Sequence, residues 1–209
     1  MCIRVNIEGE FKSNFDGYCK LIELFIQIKL KNNSKLILDF KHCSFFEANL
    51  SSILGAIINS YTSNSYTIKL EGLPSAIENI LLRNKFLQTF DNRSIIDAKG
   101  TTLAYKQIKP EDEELFQQYV DNELLTKKEF PQLSKKAQKK ICESIFELFE
   151  NARTHGKCKY VYICGQYYPK QTPARIDLTI VDLGYSIKKS VNKYLKTTFS
   201  GIEAIEWAI

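Results

Sequence analysis

The stretch Cys142 to Gly156, CESIFELFENARTHG, carries a carboxylate, an amide and an imidazole at steps of four, Glu147, Asn151 and His155. On a helix that spacing lays the three side chains along one slowly drifting stripe. These are side-chain types that proton transfer and ion binding use. The same stripe is also what any helix shows on its solvated side when its other face packs on a core. A second constellation follows downstream, where the run ARIDLTIVD ends on Asp182 and is followed by Leu183 and Gly184. Taken alone, an acidic residue and a glycine at a strand end describe an ordinary turn.

The elements that would hold these residues can be read from periodicity. From Ser134 the sequence predicts one long helix with Ala137, Ile141, Ile145, Leu148, Phe149 and Ala152 on its apolar face and Gly156 as its C-cap. Two strands come next, CKYVYICGQYY and ARIDLTIVD, joined by the turn-rich PKQTP as a hairpin. Upstream, PEDEELFQQYVDNELL predicts a helix opened by Pro110 and the acidic run Glu111 to Glu114. A helix leading into two antiparallel strands, the second ending at an acidic residue before a glycine, outlines an α/β sandwich.

ELFENARTHG resembles the N-box of the GHKL ATPase superfamily, which includes histidine kinases, Hsp90 and the anti-sigma-factor serine kinases. VDLGYSI resembles that superfamily's Asp-x-Gly-x-Gly adenine box. The order and spacing of the two boxes cover roughly residues 111–209. The resemblance implies an ATP site with Mg²⁺. An ATP triphosphate brings several negative charges and a magnesium ion, and Mg²⁺ takes hard oxygen ligands while keeping some waters. Asn151 would be the metal ligand and Glu147 the catalytic base. Arg153 and His155 would reach phosphate oxygens, and Asp182 would accept the adenine amino hydrogen. Gly184 would let backbone approach the ring, and Ser186 stands where the second glycine of the box is expected. The lid and second glycine box of that superfamily are not in this sequence, which reads as a GHKL domain truncated at its C-terminal end. The apolar residues Ile202, Ile205, Trp207 and Ile209 close it at helical spacing.

Upstream, the chain alternates β-like and helical runs. CIRVNIEGEF, KLILDF and YTIKLEGL read as strands, with the helical ANLSSILGAIINSYTSN before the last. SAIENILLRNKFLQTF opens with Ser75 and Glu78 at capping-box spacing. Strand, helix, strand, helix implies a sheet with at least one parallel pair and helices on one face. From Lys35 to Phe90 this order resembles a STAS domain, the fold of anti-sigma-factor antagonists. The family's phosphoacceptor serine would fall at Asn49, so the resemblance implies a copy that is not phosphorylated there, with Ser51 and Ser52 out of register as polar residues of a helix's first turns.

The expected organisation is α/β throughout, with a STAS-like domain over 1–95, a connector over 96–110 and a GHKL ATPase-like domain over 111–209. TTLAYKQI within the connector is a strand candidate that either half could pair. The net charge of +5 is modest for 209 residues, and the Lys-rich runs LSKKAQKKI and IKKSVNKYLK read as solvated helix faces, which argues against nucleic acid as a partner. The six cysteines are scattered without a C-x-x-C pair, so neither a zinc site nor a disulfide framework is expected. No apolar run reaches membrane-spanning length and no signal peptide opens the chain, so a cytoplasmic protein is expected. The two resemblances imply an ATP-binding regulatory protein of the anti-sigma-factor kinase kind. It would act through a sigma-factor-like or STAS-domain partner, or as a homodimer. The alternative is a non-catalytic scaffold with a degenerate nucleotide site.

Overall fold

The computed structural model describes residues 2–29, 35–62, 67–127 and 133–208 of a mixed α/β chain. Ser63, Asn64, Tyr66 and Ile209, which periodicity assigns to elements, lie outside the described residues. β1 (Cys2–Asn6) and β2 (Gly9–Phe11) divide the first expected strand at Gly9, whose φ of +76° is natural only for glycine. α1 (Phe15–Lys29), β3 (Lys35–Asp39), β4 (Cys43–Phe46) and a 3₁₀ turn at Ala48–Leu50 follow. Then come α2 (Ser51–Thr62), β5 (Thr67–Glu71) and α3 (Ser75–Arg83).

β1, β3 and β5 pair in parallel with β3 central, and β2 pairs in parallel with β4. Parallel neighbours need crossover connections, and α1 and α2 supply them. Alternation along the strands separates two faces. Val5, Leu36 and Leu38 turn inward to a core shared with Leu21, Leu24, Leu54, Ile57 and Leu81 of the three helices. Arg4 turns outward and bridges Asp39 and Glu71, with Lys69 also on Glu71.

The expected capping box at Ser75 and Glu78 does not form. Pro74 occupies the N-cap position, its carbonyl accepts the amides of Ile77 and Glu78, and no side chain caps the helix. Ser75 is already inside the first turn, and Glu78 pairs instead with Arg93.

After the short α4 (Gln88–Asp91), β6 (Thr102–Ile108) settles the strand that either half could have taken, pairing antiparallel with β7 (Val161–Tyr168). β8 (Arg175–Asp182) completes an antiparallel β6-β7-β8 sheet, so the PKQTP hairpin forms. α5 (Glu113–Tyr119) runs into a π-helical segment at Val120–Leu125. It begins three residues past Pro110, with Asp112 at the N-cap and Glu113 and Glu114 in the first turn. α6 (Lys135–Asn151) ends in a π-helical turn at Ala152–Gly156, and α7 (Ile187–Leu195) and α8 (Gly201–Ala208) follow β8.

The second sheet is covered on both faces. Ile176, Leu178 and Ile180 of β8, with Val161 and Ile163 of β7, meet Phe116, Ile145 and Phe149 of α5 and α6. Phe116 stacks on Phe149 with ring centroids 4.1 Å apart. On the opposite face Tyr105, Tyr162, Cys164 and Val181 join the core of the first half. Two-sided burial explains why VYIC in β7 reads as an unbroken apolar run.

α2 lies between the sheets and packs on both. Its large residues Leu54, Ile57 and Ile58 belong to the first core. Its small residues Ser51, Ser52, Gly55 and Ala56 are buried as well, and a Cβ added at Gly55 would stand 2.2 Å from the Tyr105 hydroxyl. Only hydrogen at that position lets the helix approach β6 so closely.

Candidate functional site

α6 starts where the sequence places it. Ser134 caps the helix, its hydroxyl accepting the Ala137 amide at 3.2 Å. Its buried face is narrower than expected. Ile145, Phe149 and Ala152 are buried with Cys142 and Phe146 packed beside them, while Ile141 and Leu148 are 37% and 56% exposed. Leu148 is one residue, about 100° of helix rotation, from Phe149 and so turns away from the sheet.

Glu147, Asn151, Arg153 and His155 are all exposed. The stripe therefore faces solvent, on the side of the helix that the sheet leaves free. Arg153 folds back to Glu150 at 2.6 Å, and that hydrogen bond pushes the guanidinium pKa above its ordinary value. Reaching a phosphate would require Arg153 to exchange this partner.

The sequence places the C-cap at Gly156, but the cap is Lys157, left-handed at φ +48°. Gly156 instead faces Asp182 and Gly184. A Cβ there would sit 2.9 Å from Oδ1 of Asp182, and a Cβ at Gly184 would sit 1.9 Å from the Gly156 carbonyl oxygen. The Tyr185 amide donates to that same carbonyl at 2.5 Å, and the Gly184 amide donates to Asp182 Oδ1 at 2.8 Å. The end of the α6 segment and the Asp182-Leu183-Gly184 turn are thus fastened together by a backbone approach that excludes a side chain at Gly184.

Asp182 is half-buried, and with burial its negative charge raises the pKa of the nearby Cys158 thiol. Ser186 is the N-cap of α7, its hydroxyl accepting the Lys189 amide at 3.2 Å. The lysines that follow fold over Tyr185, with the Lys189 ammonium 3.7 Å from the ring centroid and that of Lys193 at 5.6 Å. The geometry thus brings Gly156, Asp182, Gly184, Tyr185 and Ser186 to one end of the sheet. The Glu147, Asn151 and His155 stripe runs along the exposed side of the helix that ends there.

Asn49 lies across the second sheet from this cluster. It is 1% exposed, and its amide donates to Ser13 at 2.7 Å and to Thr179 of β8 at 2.8 Å. Thr179 points to the first half, whereas Ile176, Leu178 and Ile180 point to the α5 and α6 side. Beside it Arg175 reaches Glu47 and Asp177, each at 3.0 Å. Burial, then the Glu47 charge, raises the Asp177 carboxyl pKa against the lowering effect of Arg175. Asn84, fully buried, donates to Ser51 Oγ at 2.9 Å and to the Ala48 carbonyl, and lies 3.6 Å from Cys164 Sγ. Sequence reasoning missed this junction. The signal was the recurrence of small residues at 51, 52, 55, 56 and 59 opposite the large ones at 50, 53, 54, 57 and 58, which describes a helix buried on two sides.

No protein family, curated protein or solved structure matches the chain. Among the described residues no helix is long and apolar enough to cross a membrane. Nor does any group of three or more His, Cys, Asp or Glu side chains come together there as a metal cage. A magnesium ion delivered on a triphosphate needs no such cage, since phosphate oxygens and water fill most of its shell. One exposed amide oxygen at Asn151 with a carboxylate one turn away is a donor set of that kind. Burial raises the thiol of Cys43 to about 11 and raises those of Cys142 and Cys158, which keeps these three protonated and weakly nucleophilic.

Proposed function

We propose that this chain is an ATP-binding regulatory protein of the GHKL kind joined to a STAS-like half, acting through a protein partner. Asn151 holds the magnesium of Mg-ATP, and Glu147 one turn earlier orients the attacking group. Arg153 and His155 meet phosphate oxygens, and Asp182 takes the adenine amino group through its free Oδ2, since Oδ1 is bound to the Gly184 amide. Ser186, already a helix cap, orders the start of α7 rather than touching the base. Bound Mg-ATP supplies an electrophilic γ-phosphoryl group with its charge neutralised by the metal.

The observation that supports this reading is the close approach of Gly184 to the Gly156 carbonyl. It fastens the acidic turn to the end of the helix carrying the stripe, and neither motif alone would require it. Calorimetry with a non-hydrolysable ATP analogue and Mg²⁺ tests it. Micromolar binding lost in both Asn151→Ala and Asp182→Asn is expected, and absent or unchanged binding overturns the site.

A second reading has its own support. The first half is packed on the second sheet through a shared apolar core and the buried Asn49 and Asn84 contacts, which suits a rigid scaffold that presents one fixed surface. Failure of the calorimetric test would leave that reading standing.

A further inference from the structure

A cavity of about 380 Å³ opens where the segment between α4 and β6 faces the π-helical segment Val120–Leu125. Its wall includes Arg83, Lys85, Ile95, Asp97, Glu123 and Lys127. The volume is of the size that holds small organic ligands. The cavity lies away from Asp182 and the α6 stripe, none of whose residues line it.

The charges on its wall are arranged unequally. Arg83 Nε binds Asp97 at 2.9 Å and its Nη2 binds Thr101 at 2.9 Å. Asp97 is fully engaged, since its other oxygen accepts both the amide and the hydroxyl of Thr102 at 2.7 Å. Glu123 is engaged by Lys127 at 3.1 Å and by the Ala104 amide at 3.3 Å. Both carboxylates of the wall are therefore neutralised within it, and three cations stand against two anions. The third cation is Lys85, exposed, with a left-handed φ of +62° that a lysine adopts only at a cost. The π-helical segment carrying Glu123 is a second irregularity of the kind that collects at ligand sites. Ile95 and the 90% exposed Ile96 add an apolar surface beside the cations.

We infer that this cavity is a binding site for a small phosphate monoester with an apolar body, its phosphate held by Lys85 and Arg83 and its body lying on Ile95 and Ile96. The one surplus positive charge attracts a phosphate, and the remaining guanidinium N–H groups of Arg83 are directional donors for its oxygens.

Phenyl phosphate is the probe, with inorganic phosphate and benzyl alcohol as its two halves. Amide chemical-shift titration of the full chain is expected to move Ile95, Ile96 and Ala104 with phenyl phosphate, and with each half only at much higher concentration. Lys85→Glu, an exposed change that leaves the Arg83 to Asp97 pair intact, is expected to weaken phenyl phosphate by about tenfold or more. Ser94 also lines the cavity, so Ser94→Trp is expected to abolish the shifts, whereas Asn151→Ala leaves them unchanged. Absence of shifts at Ile95, Ile96 and Ala104, or equal affinity in Lys85→Glu, overturns the inference. Loss of binding in Asn151→Ala would assign the probe to the nucleotide site and overturn it equally.

Discussion

Replacing Asn84 with alanine tests whether the two halves are one folding unit. Asn84 is 0% exposed, and its side chain joins three segments that are distant in sequence. Its amide donates to Ser51 Oγ and to the Ala48 carbonyl, and its Oδ1 accepts the Phe86 amide at 3.0 Å. Its backbone carbonyl, which the substitution leaves in place, accepts the Tyr105 amide at 2.7 Å. Alanine strands the buried Phe86 N–H, a loss of about 1–3 kcal/mol. The void left by the amide group brings the total to roughly 2–4 kcal/mol. For a chain of this size each kcal/mol lowers Tm by about 2–4 °C, so the midpoint should fall by about 10 °C. Hydrogen exchange at Leu38 in the first sheet and Ile163 in the second, read with far-UV circular dichroism, is the assay. Both amides report the same opening free energy before the change and lose the same amount after it. If Ile163 keeps its protection while Leu38 loses it, or two unfolding transitions separate, the halves are independent and the shared-core argument is refuted.

Gly184→Ala places a methyl group where the Gly156 carbonyl stands, so binding of the ATP analogue should weaken by about tenfold or more, measured by calorimetry, with a lower Tm in the same variant. Asp97 is raised by burial but held below its usual 3.8 by the Thr102 amide and hydroxyl and by Arg83, so its stabilisation is present above that pH and lost as pH falls through the lower folded value. Urea unfolding should therefore show the gap between wild type and Asp97→Asn closing as pH drops below about 3.8. Ser134→Ala removes the side-chain cap of α6 and should cost about 1 kcal/mol in the same urea assay.

The strands and the β7-β8 hairpin were legible because alternation and turn residues carry local information. α6 and its Ser134 cap were legible for the same reason. The pairing of β6 was not, since TLAYKQI has the composition of a strand for either half and only the tertiary register with β7 decides it. Gly156 reads as a helix terminator because glycine after a helix commonly is one. Its actual role depends on Asp182 and Gly184, which only the closed turn brings alongside. The Ser75 capping box failed because Pro74 took the N-cap, a contest between neighbours that spacing does not rank. The narrowing of the α6 apolar face has a similar origin: the sheet covers one strip, and Ile141 and Leu148 lie beyond its edge.

α2 and α6 illustrate why exposed and buried polar residues on helices carry different functional weight here. Both offer hydroxyl, amide or carboxylate groups at helical spacing. α6 packs one face on the sheet and leaves Glu147, Asn151 and His155 in solvent, where a ligand can arrive without any change of structure. α2 packs on both sheets, so Ser51 and Ser52, together with Asn49 just before it, are 0–1% exposed. A phosphoryl group could reach these positions only after the two sheets parted, and the core that closes over them belongs to both halves. The free energy of that opening approaches the global stability of the fold rather than that of a loop. The second sheet also stands between Asn49 and the α6 stripe, so a serine placed at this position faces away from any nucleotide held at Asn151. Asn49→Ser incubated with radiolabelled ATP should therefore stay unlabelled under native conditions. Label found at the substituted position by peptide mapping of the folded variant would mean that the halves separate readily, and would refute the permanent junction.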